Sequence, residues 1–548
     1  MISSLFLTTL LAALANGQAT EPISSIPLGS PIVDLGYASY LGYINDTSGI
    51  TYFRGIQYAQ APTGALRWQK PHSIEAGNGF DGAVLNATTI APSGYGSLPA
   101  AIVPANFTGL PGGSEDCLIL DVLVPSNPKS ARLPVVFQIH GDGYTFGNAQ
   151  SYPGDAMVHA SNGSIVYVSI QYRLGLFGFL GGSQVAENGV LNAGLLDQRL
   201  ALEWVQRNIR AFGGDPARVT IWGGSAGGGS VTLQLTAGGA VDNPPFSAAI
   251  AEYPWWQPLL NASQQESQYY NTLRLSNCSS ITCLRSLSST ELQKLNQQVQ
   301  RAAYPSLVGF VGYGSFYFGS VVDGKFVREL PDTAFKLGHF YDVPLLVDHD
   351  AYEGVSFTNA SLMSQIVETT DAEDLFPFAG PAFFSRLYQL YSRSDFNSTF
   401  FQRAQWLGDF SIDCPTYFMA SQAVNHNSNT SAVFKLTFAA GVQTHASTAP
   451  FLANVDINYS GANNVTIAKI MTAYWLSFVR TNDPNPLKLD IAPYWPSYHS
   501  GGDGNLANGE SVGFKDLAVT YTTIGPQEDP DANERCEFFG SNGYVVRN

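Results

Sequence analysis

A chain of 548 residues that is 45% hydrophobic and 12% aromatic carries ample material for a large core, and its 13% charged fraction is too low for an intrinsically disordered protein. Against 27 basic residues stand 43 acidic ones, and the formal charge of -16 repels phosphate backbones and anionic headgroups, which excludes nucleic acid as a partner.

Residues 5–15 form an apolar run too short to span a bilayer, followed by small residues. The reading is a signal peptide over residues 1–17, cleaved between 15 and 19, ahead of a single domain over residues 20–548. No linker, charge block or internal repeat interrupts that domain. Eleven N-x-Ser/Thr sequons, at Asn45, Asn86, Asn106, Asn162, Asn261, Asn277, Asn359, Asn397, Asn429, Asn458 and Asn464, support export and N-glycans. No later segment is apolar enough to cross a membrane, and the end lacks the hydrophobic tail of a lipid-anchor signal, so a secreted, extracellular protein is expected.

The predicted elements then follow in order. Residues 135–139 and 165–170 are apolar, β-branched strands, and the first runs into the turn His140-Gly141-Asp142-Gly143-Tyr144. Residues 195–209 carry apolar positions at helical spacing and stop at Phe212-Gly213-Gly214-Asp215-Pro216. A strand at 219–222 leads directly into Gly223-Gly224-Ser225-Ala226-Gly227 and a helix at 230–235. Strands at 343–347 and 433–438 complete the pattern. Strands alternating with helices predict an α/β fold, a large mostly parallel sheet with helices on both faces and functional groups on loops at the C-terminal ends of strands.

A serine on a sharp strand-to-helix turn needs small neighbours, which Gly223 and Gly227 supply, and the amides opening the next helix favour negative charge. Ser225 is therefore the candidate nucleophile. The His140–Tyr144 turn and the Ala226 amide are candidate oxyanion donors, each worth about a hundredfold or more in turnover. A serine hydroxyl needs a histidine base and a carboxylate behind it, in chain order Ser, acid, His. Of the eight histidines, His72, His140 and His159 precede the serine, His339 and His349 come too early, His426 lies in a polar run and His499 in a Gly-rich tail. His445, after the 433–438 strand and Gly441, is the candidate base. The acid stays open among Asp348, Asp350 and Glu353, whose alternative reading is three solvated loop charges. Trp255 and Trp256, beside Tyr253, and Tyr144 are candidate lining of a substrate pocket. Cys278 and Cys283 are spaced to close a small loop, Cys414 and Cys536 to tie the C-terminus to the body, and Cys117 is left over. No zinc-type spacing is present, and no metal or cofactor is expected.

Taken together, Tyr52-Phe-Arg-Gly-Ile-Gln-Tyr-Ala59, Leu66-Arg67, Ser114-Glu-Asp-Cys-Leu118, Tyr172-Arg-Leu-Gly175, residues 212–227, Tyr474-Trp475 and Asp483-Pro-Asn485 resemble the type-B carboxylesterase/lipase family, which includes cholinesterases and secreted fungal lipases. The resemblance implies an α/β-hydrolase fold, ester hydrolysis through an acyl-enzyme, Glu353 as the acid, His445 as the base, and the amides of Asp142, Gly143 and Ala226 as the oxyanion hole. It also pairs Cys278 with Cys283 and Cys414 with Cys536.

Three departures stand out. Gly224 replaces a family glutamate, Asp142 interrupts a run of glycines, and Cys117 has no partner in residues 85–95, so a flap at 88–113 is expected to be unstapled. No Trp lies between Trp68 and Trp204, which argues against choline esters. The expected function is a secreted serine carboxylesterase or lipase acting on small apolar esters or lipids. The alternatives are an aryl or hydroxycinnamoyl esterase, or an inactive adhesion protein of the same family.

Overall fold

The computed structural model describes residues 29–548 apart from 77–79, 81–82, 99–109, 303–315, 359, 361–367, 427–431, 454–463 and 499–513. The proposed signal peptide, the middle of the flap, His499 and the sequons at Asn106, Asn359, Asn429 and Asn458 lie outside the described residues.

In chain order the strands are β1 (Ile32–Asp34), β2 (Ser39–Leu41), β3 (Tyr43–Asn45), β4 (Ile50–Gln57), β5 (Val84–Asn86), β6 (Ile119–Pro125), β7 (Leu133–Ile139), β8 (Val166–Ile170), β9 (Gly214–Gly224), β10 (Ala248–Glu252), β11 (Leu345–Asp350), β12 (Val433–Ala439), β13 (Lys515–Thr520) and β14 (Ile524–Glu528). Strands β1, β2 and β5 make a small separate sheet; the other eleven form one sheet in the order β14-β13-β12-β11-β10-β9-β7-β8-β6-β4-β3. Its six pairings from β8 to β13 are parallel and the outer four antiparallel, so the sheet is mixed, with a parallel heart.

Every residue of β7, β8, β10 and β11 is buried, as strands covered on both faces require. Helices Ala193–Asn208, Ala226–Leu235 and Cys414–His426 contribute to one apolar layer, and Asp155–Ala160, Ala449–Ala453 and Val465–Thr481 to the other. Disulfides join Cys278 to Cys283 and Cys414 to Cys536, while Cys117 is free and buried. Among the described residues no helix is long and apolar enough to cross a membrane.

One expectation shifts in a way that matters. The strand predicted at 343–347 runs instead over Leu345–Asp350, so Asp348 and Asp350 are strand residues at 0% exposure rather than solvated loop charges. The parallel heart carries the C-terminal ends of β7, β9, β10, β11 and β12 to one edge, and all the candidate side chains hang from that edge.

Candidate active site

Ser225 stands between β9 and the helix Ala226–Leu235 at φ 60° and ψ -126°, a conformation an L residue holds only when its surroundings enforce it. The enforcement is backbone. The Ser225 amide donates to the Glu252 carbonyl at 3.1 Å, and the Ser225 carbonyl accepts from the Gly229 and Trp255 amides, both at 2.9 Å. A Cβ at Gly227 would stand 2.2 Å from the Ile139 carbonyl oxygen of β7, which accounts for glycine there.

His445 arrives on the loop after β12, between Gln443 at φ 63° and Ala446 at φ 67°. Its Nε2 lies 2.9 Å from Ser225 Oγ and its Nδ1 2.5 Å from Glu353 Oε2. The carboxylate accepts from Nδ1–H, which leaves Nε2 to accept the serine proton. Glu353 opens a short turn just beyond β11 and is 1% exposed; its Oε1 accepts from the Asp350 amide at 2.7 Å.

The three carboxylates left open by the sequence thus have three different surroundings. Glu353 meets the histidine. Asp350 anchors the histidine loop, accepting from the Ser447 amide at 2.9 Å and Thr448 Oγ1 at 3.0 Å. Asp348 is buried, and among the described residues neither of its carboxylate oxygens has a hydrogen-bond partner. Burial opposes charge on both sides of the pair: it pushes Glu353 up to about 8, against the Asp350 amide and the nearby His349 charge, and His445 down to about 4.

The turn 140–144 packs its Gly141 against the Gly224 carbonyl and Ser225, and the Ala226 amide opens its helix next to Ser225 without an intrahelical acceptor. Asp142 holds φ 68° and turns its carboxylate toward Ser151 Oγ at 3.4 Å and the Gly147 backbone; burial lifts it to about 6. An aromatic wall closes the site. The Phe357 ring sits 4.7 Å from His445 and 4.5 Å from Trp255, and the Phe316 ring lies 5.9 Å from Trp255 and directly over Gly143. Trp255 is therefore part of the wall. Trp256 donates to Thr232 Oγ1 at 3.0 Å and packs on Phe335, Tyr144 packs against Phe179 and Gly229, and both line a small cavity together with Trp255.

Sequence reasoning missed Phe316 and Phe357, which carry no local signature, and it missed what fills the space at Gly224. A Cβ at position 224 would meet the Tyr253 hydroxyl at 2.5 Å. Tyr253 is fully buried at φ 33°, with its ring edge-on to His445 at 5.0 Å. A neutral phenol thus occupies the place that the resemblance gives to a glutamate.

At the expected flap, residues 88–98 are held without a disulfide. Gln293 Nε2 donates to the Gly96 carbonyl at 2.8 Å, and Gln297 exchanges bonds with the Leu98 amide and carbonyl at 2.9 and 2.8 Å. Cys117 Sγ packs under Gly94, where burial holds the thiol well above its ordinary range. His349, Glu353 and Asp413 bring nitrogen and oxygen atoms within 4.8 Å of one another, but hydrogen bonds already engage both His349 nitrogens and both Glu353 oxygens.

This fold and constellation agree with the comparisons. Residues 29–511 match the Carboxylesterase family model. Carboxylesterase patB of Penicillium expansum is 31% identical over 86% of this chain and 90% of its own length, and secreted lipase 1 of Botryotinia fuckeliana is 29% identical over 91% and 93%. The crystal structure of Aspergillus niger EstA superposes with a TM-score of 0.82 at 29% identity, covering 95% of this chain and 99% of that one. The chain belongs to the carboxylesterase family and is a carboxylic ester hydrolase with an α/β-hydrolase fold.

Proposed function

We propose that the enzyme is secreted and hydrolyses small apolar esters through a covalent intermediate on Ser225. The observation that carries this reading is the unbroken run Ser225–His445–Glu353, with both links at hydrogen-bond length and the serine held on a strained turn. His445 Nε2 takes the proton of Ser225 as Oγ attacks the ester carbonyl. The Asp142, Gly143 and Ala226 amides receive the negative charge on the carbonyl oxygen, and His445 passes its proton to the departing alcohol. Water, deprotonated by the same nitrogen, then releases the acid and restores the serine.

Export is supported by the leader-like residues 5–15 and by exposed sequons at Asn45, Asn162, Asn277 and Asn397. A mobility shift on glycosidase treatment of secreted protein tests it. The wall of Trp255, Phe316 and Phe357 supports a short or planar acyl group, and it favours a second reading as an esterase of aromatic acids. Hydrolysis rate against acyl chain length, with a feruloyl ester in the series, separates the two. The adhesion-protein alternative is disfavoured by the intact triad. An organophosphonate that labels the wild type at Ser225 and leaves Ser225→Ala unlabelled is the expected result, and a wild type that takes no label overturns the mechanism.

A further inference from the structure

Behind the triad, on the opposite face of β11 from Asp348 and Asp350, lies a second histidine. His349 is 3% exposed. Its Nδ1 lies 3.0 Å from the Asp350 carbonyl oxygen, which can only accept, so Nδ1 carries a proton. Its Nε2 lies 2.7 Å from Asp531 Oδ2, an oxygen that also takes the Lys435 ammonium at 2.8 Å and is therefore an anionic acceptor. Thr437 Oγ1, 3.2 Å from the same nitrogen, spends its proton on Asp516 at 2.5 Å and has none to give. Both ring nitrogens are donors, and an imidazole with two protons is a cation.

The position of that cation matters because of what faces it. A fully buried carboxylate with only an amide and a neutral imidazole as donors is costly to ionise, and in an apolar setting it takes up a proton instead. A neutral Glu353 could not stabilise the imidazolium that forms on His445. His349, Asp413 and Glu353 approach within 4.8 Å of one another, with Asp413 Oδ1 3.3 Å from His349 Nδ1. Lys435 on β12 brings its ammonium to 3.5 Å from His349 Nε2 while donating to Asp529 and Asp531 at 2.8 Å each; Asp516 on β13 and Asp529 after β14 lie further out, and Asp348 and Asp350 share the strand of His349.

We propose that His349 is a positioning residue for the triad, a buried imidazolium whose charge favours the ionised form of Glu353 and so its orienting of His445. The inference rests on the acyl-enzyme reading and adds a fourth member to its relay. It also explains why a strand of six buried residues spends one of them on histidine: the charge of His349 is balanced by Asp413 at 3.3 Å and Asp531 at 2.7 Å, so the cation needs no solvent.

The sign of the effect follows directly. Glu353 is pushed up to about 8 even with the cation present, and removing a positive charge moves a carboxyl further up. Activity that needs the carboxylate is lost as pH falls through that value. In His349→Gln the acid limb of kcat/KM for p-nitrophenyl acetate should therefore move up by about one pH unit, with kcat at pH 7 down about tenfold, KM within about twofold, and much of the loss recovered near pH 9. A variant with a lowered melting temperature and the wild-type acid limb overturns the proposal, because a merely structural histidine predicts that outcome. Should the variant fail to fold, the wild type decides. With 15N-labelled histidine, His349 is expected to give an imidazolium signature at pH 8, and a neutral ring there overturns it. Failure of the organophosphonate to label Ser225 sinks the triad itself, whereas normal labelling with an unmoved acid limb sinks only the role of His349.

Discussion

The strands β9 and β11 deliver the two ends of the triad by opposite means. At the end of β9 the proposed nucleophile, Ser225, is fixed by glycines and backbone hydrogen bonds, and Tyr253 adds a neutral phenol. At the end of β11 the acid is fixed by charge, with Asp348, His349, Asp350 and Glu353 all buried within six residues. One end is a steric device, intolerant of a single added carbon. The other is an electrostatic device, whose parts can change shape little but whose protonation decides whether it works.

The largest effect should come from the steric end. In Gly227→Ala the new Cβ would be forced to 2.2 Å from the Ile139 carbonyl, a backbone atom of the neighbouring central strand that has nowhere to go. Loss of soluble protein, or an inactive product with a cooperative transition lowered by several degrees, is expected from expression and calorimetry. Gly224→Ala meets a side chain instead, and Tyr253 can move only by pushing the His445 ring, so a folded protein with activity down about a hundredfold is expected. At the electrostatic end, Glu353→Gln keeps the shape and removes the charge. Turnover should fall by about a hundredfold to ten-thousandfold while circular dichroism and melting temperature stay at or above wild type. A Gln variant that unfolds would show that the two ends are not separable in this way.

The same contrast sets the pH dependence. Burial raises Asp121 and Asp413 to about 6, and Glu252 and Asp409 to about 8, from ordinary values of 3.8 for aspartate and 4.5 for glutamate. A group whose folded value is raised contributes stability in full below its unfolded value and loses it as pH climbs through the folded one. Asp531 works in the other direction, held down by Lys435 and His349, and its contribution is lost only in strong acid. The melting temperature should therefore peak near pH 5 and fall by roughly 5 °C or more toward pH 9. Activity should rise over the same interval as Glu353 ionises. Scanning fluorimetry and initial rates across one buffer series test both, and parallel curves would contradict the assignment of the buried acids.

How much of this was legible in the sequence divides along the same line. The elbow is local: five residues in a row with strand before and helix after, so Ser225, its glycines and the alternating α/β order can be read from spacing. His445 follows from order along the chain, because a loop histidine after a late strand is all the geometry demands. The choice among Asp348, Asp350 and Glu353 was not readable from spacing, since it depends on which way each side chain points after the strand, and the strand itself extends three residues past the predicted end at Val347. Phe316 and Phe357, and the roles of Tyr253 and His349, were invisible for a further reason. Each is held by residues about 30 or more positions away, or across a sheet face, and a single aromatic or histidine has no local pattern that marks such a contact. His349 comes too early in the chain to be read as the base; its neighbours across β12 and on the C-terminal loop support the positioning role proposed above.

The smallest expected effect lies where the two devices meet, at Asp142. Its backbone belongs to the steric half, in a left-handed conformation at φ 68° beside the elbow, and its side chain belongs to the electrostatic half, half-buried and turned toward Ser151. Asp142→Gly removes the conformational penalty and keeps the amide, which argues for a gain of up to about 1 kcal/mol in stability. It also removes a carboxyl that, when ionised, raises His445. The variant should thus lose less than about tenfold in kcat. A variant as inactive as Ser225→Ala would place the carboxyl itself in the reaction, and the division between a backbone that positions and a strand end that charges would have to be redrawn at this residue.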